Sequence, residues 1–307
     1  MTMYERAEDD AAREKARKWL GLPEAQKIPL LPEKSPERLA ICIVPVGKPP
    51  KWLVHQCGIA LANLTGLAVY HQEEAIGLPP PSRTGMKHWV AKLKDGLRWE
   101  DPALTYLCRD LGFEFKGNLM PDHQIIAIYE EIFKRQGNEE ALADFRKTKS
   151  DLAQDTRNQW DARKLLETLA AVSEKSPVHR IMWVGLTEVD IYLENNNYLF
   201  GLSSMDPRMK YALVSCCRFM ADFNDEPPDA RRLATRTVKQ MLSGIGNALG
   251  AQRPLDPTCP RSYPNSLPQH DAKTLNLCDD CRKSFSGALG GFVLPPMPDD
   301  PFKAPRP

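Results

Sequence analysis

The stretch from Val238 to Cys281, VKQMLSGIGNALGAQRPLDPTCPRSYPNSLPQHDAKTLNLCDDC, decides how this chain reads. A helix runs into it. Pro227 and Pro228 precede Asp229, whose carboxylate suits an N-cap. Ala234, Val238, Met241, Leu242, Ile245 and Leu249 then recur at helical spacing and make one apolar stripe. Gln240, Ser243, Gly244 and Asn247 fall on the other side, so the helix is expected to bury one face and present a small, uncharged one. Gly244 and Gly246 each cost about 1 kcal/mol of helix propensity relative to Ala. Gly250 follows the last periodic residues and ends the helix. Beyond it stand Cys259, Cys278 and Cys281, the last two spaced as C-x-x-C.

This spacing resembles that of the archaemetzincin metallopeptidases, whose signature is HExxHxxGxxHC, four residues, CxM, a spacer and CxxC. The first signature His falls on Ser243, the Glu on Gly244, the second His on Asn247 and the third His on Arg253. Gly250 keeps the Gly. Pro254 replaces the first Cys, Cys259 keeps the second, Arg261 replaces the Met, and Cys278 and Cys281 keep the final pair. Two His four apart on a helix can grip one zinc, and the Glu beside the first serves as general base for the zinc-bound water. A hydroxyl and an amide are poor zinc ligands beside imidazole, so Ser243 and Asn247 do not replace the pair. Gly244 has no group that moves a proton, and Arg253 is a fixed cation that repels a divalent metal. The resemblance therefore implies a pseudopeptidase, with no catalytic zinc and no ordinary peptidase activity.

The family's second metal site uses four thiolates. Cys259, Cys278 and Cys281 would supply three of them to one structural zinc, with His270, a water or a carboxylate in the fourth place. Three reduced thiols in a loop that folds without metal are the alternative. In active relatives an extended peptide pairs with an edge strand, which falls here on Tyr198 to Ser203. Tyr198, Phe200 and Arg253 are then the expected peptide-binding residues, with the guanidinium pairing to a carboxylate of the peptide. Two other readings stay open: a zinc-dependent metallopeptidase acting through ligands the signature does not reveal, and a degenerate structural protein without a partner. Metal content separates the first reading from the hydrolase, and a pull-down separates it from the structural protein.

Composition sets the bounds. The chain has 307 residues with 41 Lys and Arg against 40 Asp and Glu, so neither nucleic acid nor an anionic membrane is an electrostatic partner. No apolar run is long enough to span a bilayer. The N-terminal MTMYERAEDDAAREKARKWL is charged and lacks the apolar centre of a signal peptide, which points to the cytoplasm or nucleus. Eight cysteines in such a compartment are expected to be reduced. The expected partner is a protein or peptide.

Residues 1–37 read as a solvated helix, Met3 to Leu20, followed by a Pro-rich linker. Leu39 to Val46 reads as a buried strand, Trp52 to Asn63 as a helix and Leu67 to Tyr70 as a strand, a crossover unit with parallel pairing. About 72–156 reads as an insertion of helices over Met86–Leu97, Pro102–Leu111 and Asp122–Arg135, with Asp122 as the cap of the third. Its ordinary role is packing; its sharper role is a lid. From Arg157 the wording again resembles archaemetzincin: a helix in RNQWDARKLLETL, strands over Ile181–Gly185 and Glu188–Leu193, an Asn turn at 195–197, the edge strand, then a strand within Lys210–Phe219. Residues 286–307 read as a mobile Pro/Gly-rich tail. The implied fold is a metzincin-like α+β domain over 38–285: a twisted mixed sheet, a long motif helix and a small C-terminal Cys subdomain.

Overall fold

The computed structural model describes residues 27–154, 158–194, 196–204 and 210–303. These form two compact units, one from the chain up to Pro80 and from Trp160 onward, the other from Pro81–Gln159. The helix expected over Met3–Leu20 lies outside the described residues, as do Arg157 and Asn195.

A five-stranded sheet carries the first unit. β1 is Ala40–Val46, α1 is Lys51–Thr65, and β2 (Val69–His71) returns parallel to β1, so the expected crossover is present. On the other side of β1 lies β5 (Ile181–Thr187), parallel and in register from Ala40↔Ile181 to Val46↔Thr187. β9 (Tyr211–Ser215) continues the parallel run, and β8 (Gly201–Ser203) closes that edge antiparallel to β9. Successive strand residues point to opposite faces. Ile41, Ile43, Met182 and Val184 pack with α1 and the motif helix α7 (Ala230–Ala248); Ala40, Cys42, Val44 and Trp183 pack with α6 (Ala162–Glu174). Covered on both faces, β1 and β5 have no reason to alternate polar residues, which explains their unbroken apolar runs.

Two expectations along this sheet are corrected. RNQWDARKLLETL is not helical throughout: β4 (Asn158–Asp161) precedes α6, and Asp161 caps the helix by accepting from the Arg163 N–H at 2.8 Å. Tyr198–Ser203 is not one strand. The chain bends at Phe200, leaving β7 (Asn196–Leu199) paired with β6 (Asp190–Leu193) and only β8 on the edge of the main sheet.

The motif helix forms as predicted. Asp229 accepts from the Arg232 N–H at 2.8 Å, and Gly250 leaves the helix at φ 77°. Its stripe of Leu233, Ala234, Val238, Met241, Leu242 and Ile245 is buried in the core. The opposite side is not the small, uncharged face expected. Arg236 and Lys239 are buried there, Ser243 is only 3% exposed, and Gly244 sits so near the sheet that a Cβ would lie 3.0 Å from that of Ala212. The following loop lies over this side, with little regular structure beyond the short α8 (Leu267–Asp271). Arg236 donates to both carboxylate oxygens of Asp271 at 2.7 and 2.6 Å. Lys239 Nζ reaches the carbonyls of His270 and Asp271 at 3.4 and 3.0 Å, and Lys273 Nζ those of Pro260 and Ser262 at 3.1 and 3.3 Å.

The described parts of the segments read as linker and tail, 27–36 and 286–303, are packed. Ile28 is buried against Gly58, and Leu30 bridges to His71. Phe302 and Leu294 are buried, Asn63 donates to the Pro301 and Lys303 carbonyls at 2.8 and 2.6 Å, and Arg231 pairs with Asp300 at 3.0 Å. The missing periodicity reflects extended chain that borrows partners from the core.

The second unit is helical, with β3 (Arg83–Thr84) paired to the start of β4. α2 (Gly85–Gly96), α3 (Pro102–Asp110) and α4 (Asp122–Arg135) match the expected helices, and α5 (Glu139–Gln154) adds a fourth. Leu104, Leu107, Ile125 and Ile128 share a core of their own. Asp122 is not the cap of α4: Pro121 holds that place, and Asp122 instead pairs with Lys94 at 3.0 Å.

Two outcomes follow from the packing on α7. A Cβ at Gly246 would lie 2.1 Å from Arg261 Nε, whereas one at Gly287, in α9 (Asp279–Ala288), meets nothing within 4 Å. Gly246→Ala should therefore destabilise the protein by about 1–3 kcal/mol despite its better helix propensity. Gly287→Ala should be neutral or stabilising by up to about 1 kcal/mol, both read by urea unfolding. His270 is wholly buried with no hydrogen-bond partner on either ring nitrogen among the described residues, and burial first, then Lys273, Lys239 and Arg236, hold its pKa well below the ordinary value. The folded state keeps it neutral while the unfolded chain takes a proton below about pH 6.5. Stability should fall as pH drops below that value, by up to about 1.4 kcal/mol per unit, and His270→Phe should flatten the slope.

Candidate functional site

Where β7 and β8 meet α7 and its loop, a cavity of about 380 Å³ opens. Tyr198, Phe200 and Gly201 line it from the strands, Gln240 and Ser243 from the helix, and Arg253 and Tyr263 from the loop; Asn196, Leu199, Pro264 and Asn265 complete it. Tyr198, Phe200, Ser243 and Arg253, singled out from the sequence as peptide-binding or former motif residues, are thus brought together. The other two motif positions are not. Gly244 faces Ala212 of β9, and Asn247 Oδ1 accepts from Arg261 Nη2 at 3.4 Å.

Local packing fixes each wall. Phe200 stacks on Phe219 with ring centres 5.0 Å apart. The Tyr198 ring lies 3.9 Å beneath the Arg218 guanidinium, which Asp190 holds by two hydrogen bonds at 2.8 and 2.7 Å. Gly201 lies so close to its neighbours that a Cβ would be 2.6 Å from the Leu213 carbonyl oxygen. Arg253 donates to the Arg261 carbonyl at 3.3 Å and its guanidinium lies 5.2 Å from the Tyr263 ring centre. Among the lining residues Arg253 bears the one formal charge, and none is a His, Cys, Asp or Glu. No carboxylate pairs with it among the described residues. Arg218, Asp190 and Tyr263 were not singled out from the sequence, because nothing in their local pattern marks them as neighbours of the cavity.

The second cluster lies in the loop. Cys259, Cys278 and Cys281 place their sulfurs within 4.8 Å of one another, with Cys259 and Cys281 3.6 Å apart. Tetrahedral zinc with Zn–S bonds near 2.3 Å needs sulfurs roughly 3.8 Å apart, so the donor set and its spacing suit a thiophilic metal. Cys278 caps α9, and Cys281 lies in that helix's first turn, so one bound ion would tie α9 to the loop at Cys259. His270 is not part of the cluster: the three thiols form the group without it. Its ring is wedged against Phe219 and Phe200, at 4.8 and 5.4 Å, beneath the wall of the cavity. Arg261, noted from the sequence only as a replaced Met, is wholly buried and donates to Cys281 Sγ at 3.3 Å. All eight cysteines are free thiols.

Peptidase family M54 matches residues 142–286. The archaemetzincin of Pyrococcus furiosus is 32% identical over 138 residues, which covers 45% of this chain and 70% of that protein. The archaemetzincin of Methanocaldococcus jannaschii is 31% identical over 130 residues, covering 42% and 68%. Among solved structures, archaemetzincin from Methanopyrus kandleri aligns with a TM-score of 0.49 and 19% identity, over 83% of this chain and 98% of that one. A zinc-dependent peptidase from Methanocorpusculum labreanum aligns at 0.45 and 18%, over 80% and 100%. With the P. furiosus protein matched over 70% of its length at 32% identity, the chain belongs to the archaemetzincin family.

Proposed function

We propose that this chain is a pseudopeptidase, which binds an extended, carboxylate-bearing peptide in the cleft without cleaving it. One observation carries this reading: the cavity wall offers no imidazole, thiol or carboxylate to hold a catalytic zinc or serve as its general base, and the one formal charge among its lining residues is the Arg253 cation. Ser243, at the first motif position, contributes a hydroxyl, a weak zinc ligand beside imidazole. Gly244, in place of the base, faces the sheet.

Peptide binding draws on two features of the same wall. Among the described residues β8 ends the main sheet with no strand on its outer side, where a further strand would gain main-chain hydrogen bonds that supply affinity. Arg253 then selects. Its guanidinium presents a planar fork suited to a carboxylate, and Tyr263 beside it limits the orientations it can take. Tyr198 and Phe200 supply apolar surface for the side chains on either side of that carboxylate.

The cysteine cluster serves a separate purpose in this reading. One structural zinc on Cys259, Cys278 and Cys281 would stabilise the C-terminal part of the fold, since ligands gathered only in the folded state make binding energy into folding energy. A reducing compartment, cytoplasm or nucleus, suits its free thiols, and among the described residues no helix is long and apolar enough to cross a membrane.

Two measurements test the cleft. Titration of the full chain with an acidic peptide library should yield binders, and Arg253→Ala should weaken them about tenfold to a hundredfold, as expected for loss of a charge-assisted hydrogen bond of about 1.5–3 kcal/mol. Unchanged affinity in that variant removes the assigned role. Incubation of the zinc-supplemented protein with unstructured peptides should release no fragments above the protein-free rate. Cleavage that a chelator abolishes would instead establish a working peptidase.

A further inference from the structure

Arg261 has no exposed surface, and its guanidinium reaches groups on every side except a carboxylate. Nη1 donates to the Gln252 carbonyl at 2.9 Å and to Cys281 Sγ at 3.3 Å; Nη2 donates to the Ala251 carbonyl at 2.6 Å and to Asn247 Oδ1 at 3.4 Å. The Phe285 ring centre lies 5.6 Å from the guanidinium carbon, and Nε has no hydrogen-bond partner among the described residues. The nearby buried cations are answered differently: Arg236 has Asp271 and Glu226, while Lys239 and Lys273 point only at carbonyls. A guanidinium is always charged in proteins, and a buried charge without a counter-charge is costly. The group beside it that can become negative is the three-thiol cluster, through Cys281.

We propose that Arg261 is the built-in counter-charge of a three-thiolate metal site formed by Cys259, Cys278 and Cys281, its guanidinium facing the thiolates through Cys281. This rests on the reading of Cys259, Cys278 and Cys281 as metal ligands. A divalent ion on three thiolates carries a net charge of −1, which one guanidinium cancels. Three thiols without an ion leave the guanidinium unmatched. The arrangement places positive charge on two sides of the cluster, since Lys273 lies near enough to Cys259 to interact with its thiolate. It also makes Arg261 a positioning residue: its hydrogen bond to Cys281 Sγ orients a ligand, and an outer partner of this kind is worth about 10–100-fold in metal affinity. Gly246 is part of the device, because any side chain there would occupy the guanidinium's place. Through Asn247 and Gly246 the arginine joins the thiol site to the motif helix.

The test uses the full reduced chain, made metal-free and titrated with Zn²⁺ against a chromophoric chelator, with Co²⁺ as a spectroscopic probe. The wild type should bind one ion with intense thiolate-to-cobalt absorption. Arg261→Gln and Arg261→Met should bind at least tenfold more weakly, and Arg261→Lys should recover part of the loss. A structural role in the loop alone would leave affinity unchanged across folded variants, and that result overturns the proposal. Should the Gln variant fail to fold, the Met and Lys pair carries the comparison. Metal-free wild type and Arg261→Met, compared by thermal melting with and without zinc, give a second readout: zinc should raise the wild-type midpoint more, and an equal rise overturns the proposal. A wild type that binds no ion defeats the metal-site reading itself, a failure distinct from equal binding by wild type and variants.

Discussion

The loop between Ala251 and Lys273 has almost no backbone ladder, so its buried carbonyl groups need donors from elsewhere. Cations supply them. Arg261 answers Ala251 and Gln252, Lys273 answers Pro260 and Ser262, and Lys239 answers His270 and Asp271. Each flexible side chain gives up conformational freedom to do so, but a charged donor facing a carbonyl is worth more than a neutral one. The loop in turn provides Arg253 and Tyr263 to the cleft and Cys259 to the thiol cluster. The loop's share of both sites is therefore held by buried positive charges, while the strands, the motif helix and α9 supply the rest.

This explains what could and could not be read from the sequence. The motif helix was legible because burial of Val238, Met241, Leu242 and Ile245 imposes helical spacing, and Asp229 is a residue type that caps. The parallel core was legible because strands covered on both faces are apolar throughout. Arg236, Lys239, Arg261 and Lys273 were not legible as core, since such residues are almost never buried without partners that lie far along the chain. The break at Phe200 was hidden for a similar reason: Tyr198 to Ser203 is continuous in β-type sequence, and only pairing to different neighbours divides it. The Pro-rich ends looked mobile because their order comes from Asn63, Arg231 and β2 rather than from any repeat of their own.

At the candidate site, Tyr198, Phe200, Ser243 and Arg253, which the resemblance singled out, line one cavity, and the three thiols stand around one point. His270, one of the options for a fourth ligand, stands outside that group. A histidine in a loop near three cysteines invites the role of a fourth ligand, yet its ring is held by aromatic contact with Phe200 and Phe219. There it supports the wall of the cleft from below, and its neutrality is enforced by burial among positive groups.

Gly244 limits what the motif helix can carry toward the sheet. The helix there approaches β9 closely enough that even a methyl group would press on Ala212. Any side chain at that residue, a carboxylate included, asks the helix and the strand beneath it to give way by a few tenths of an ångström.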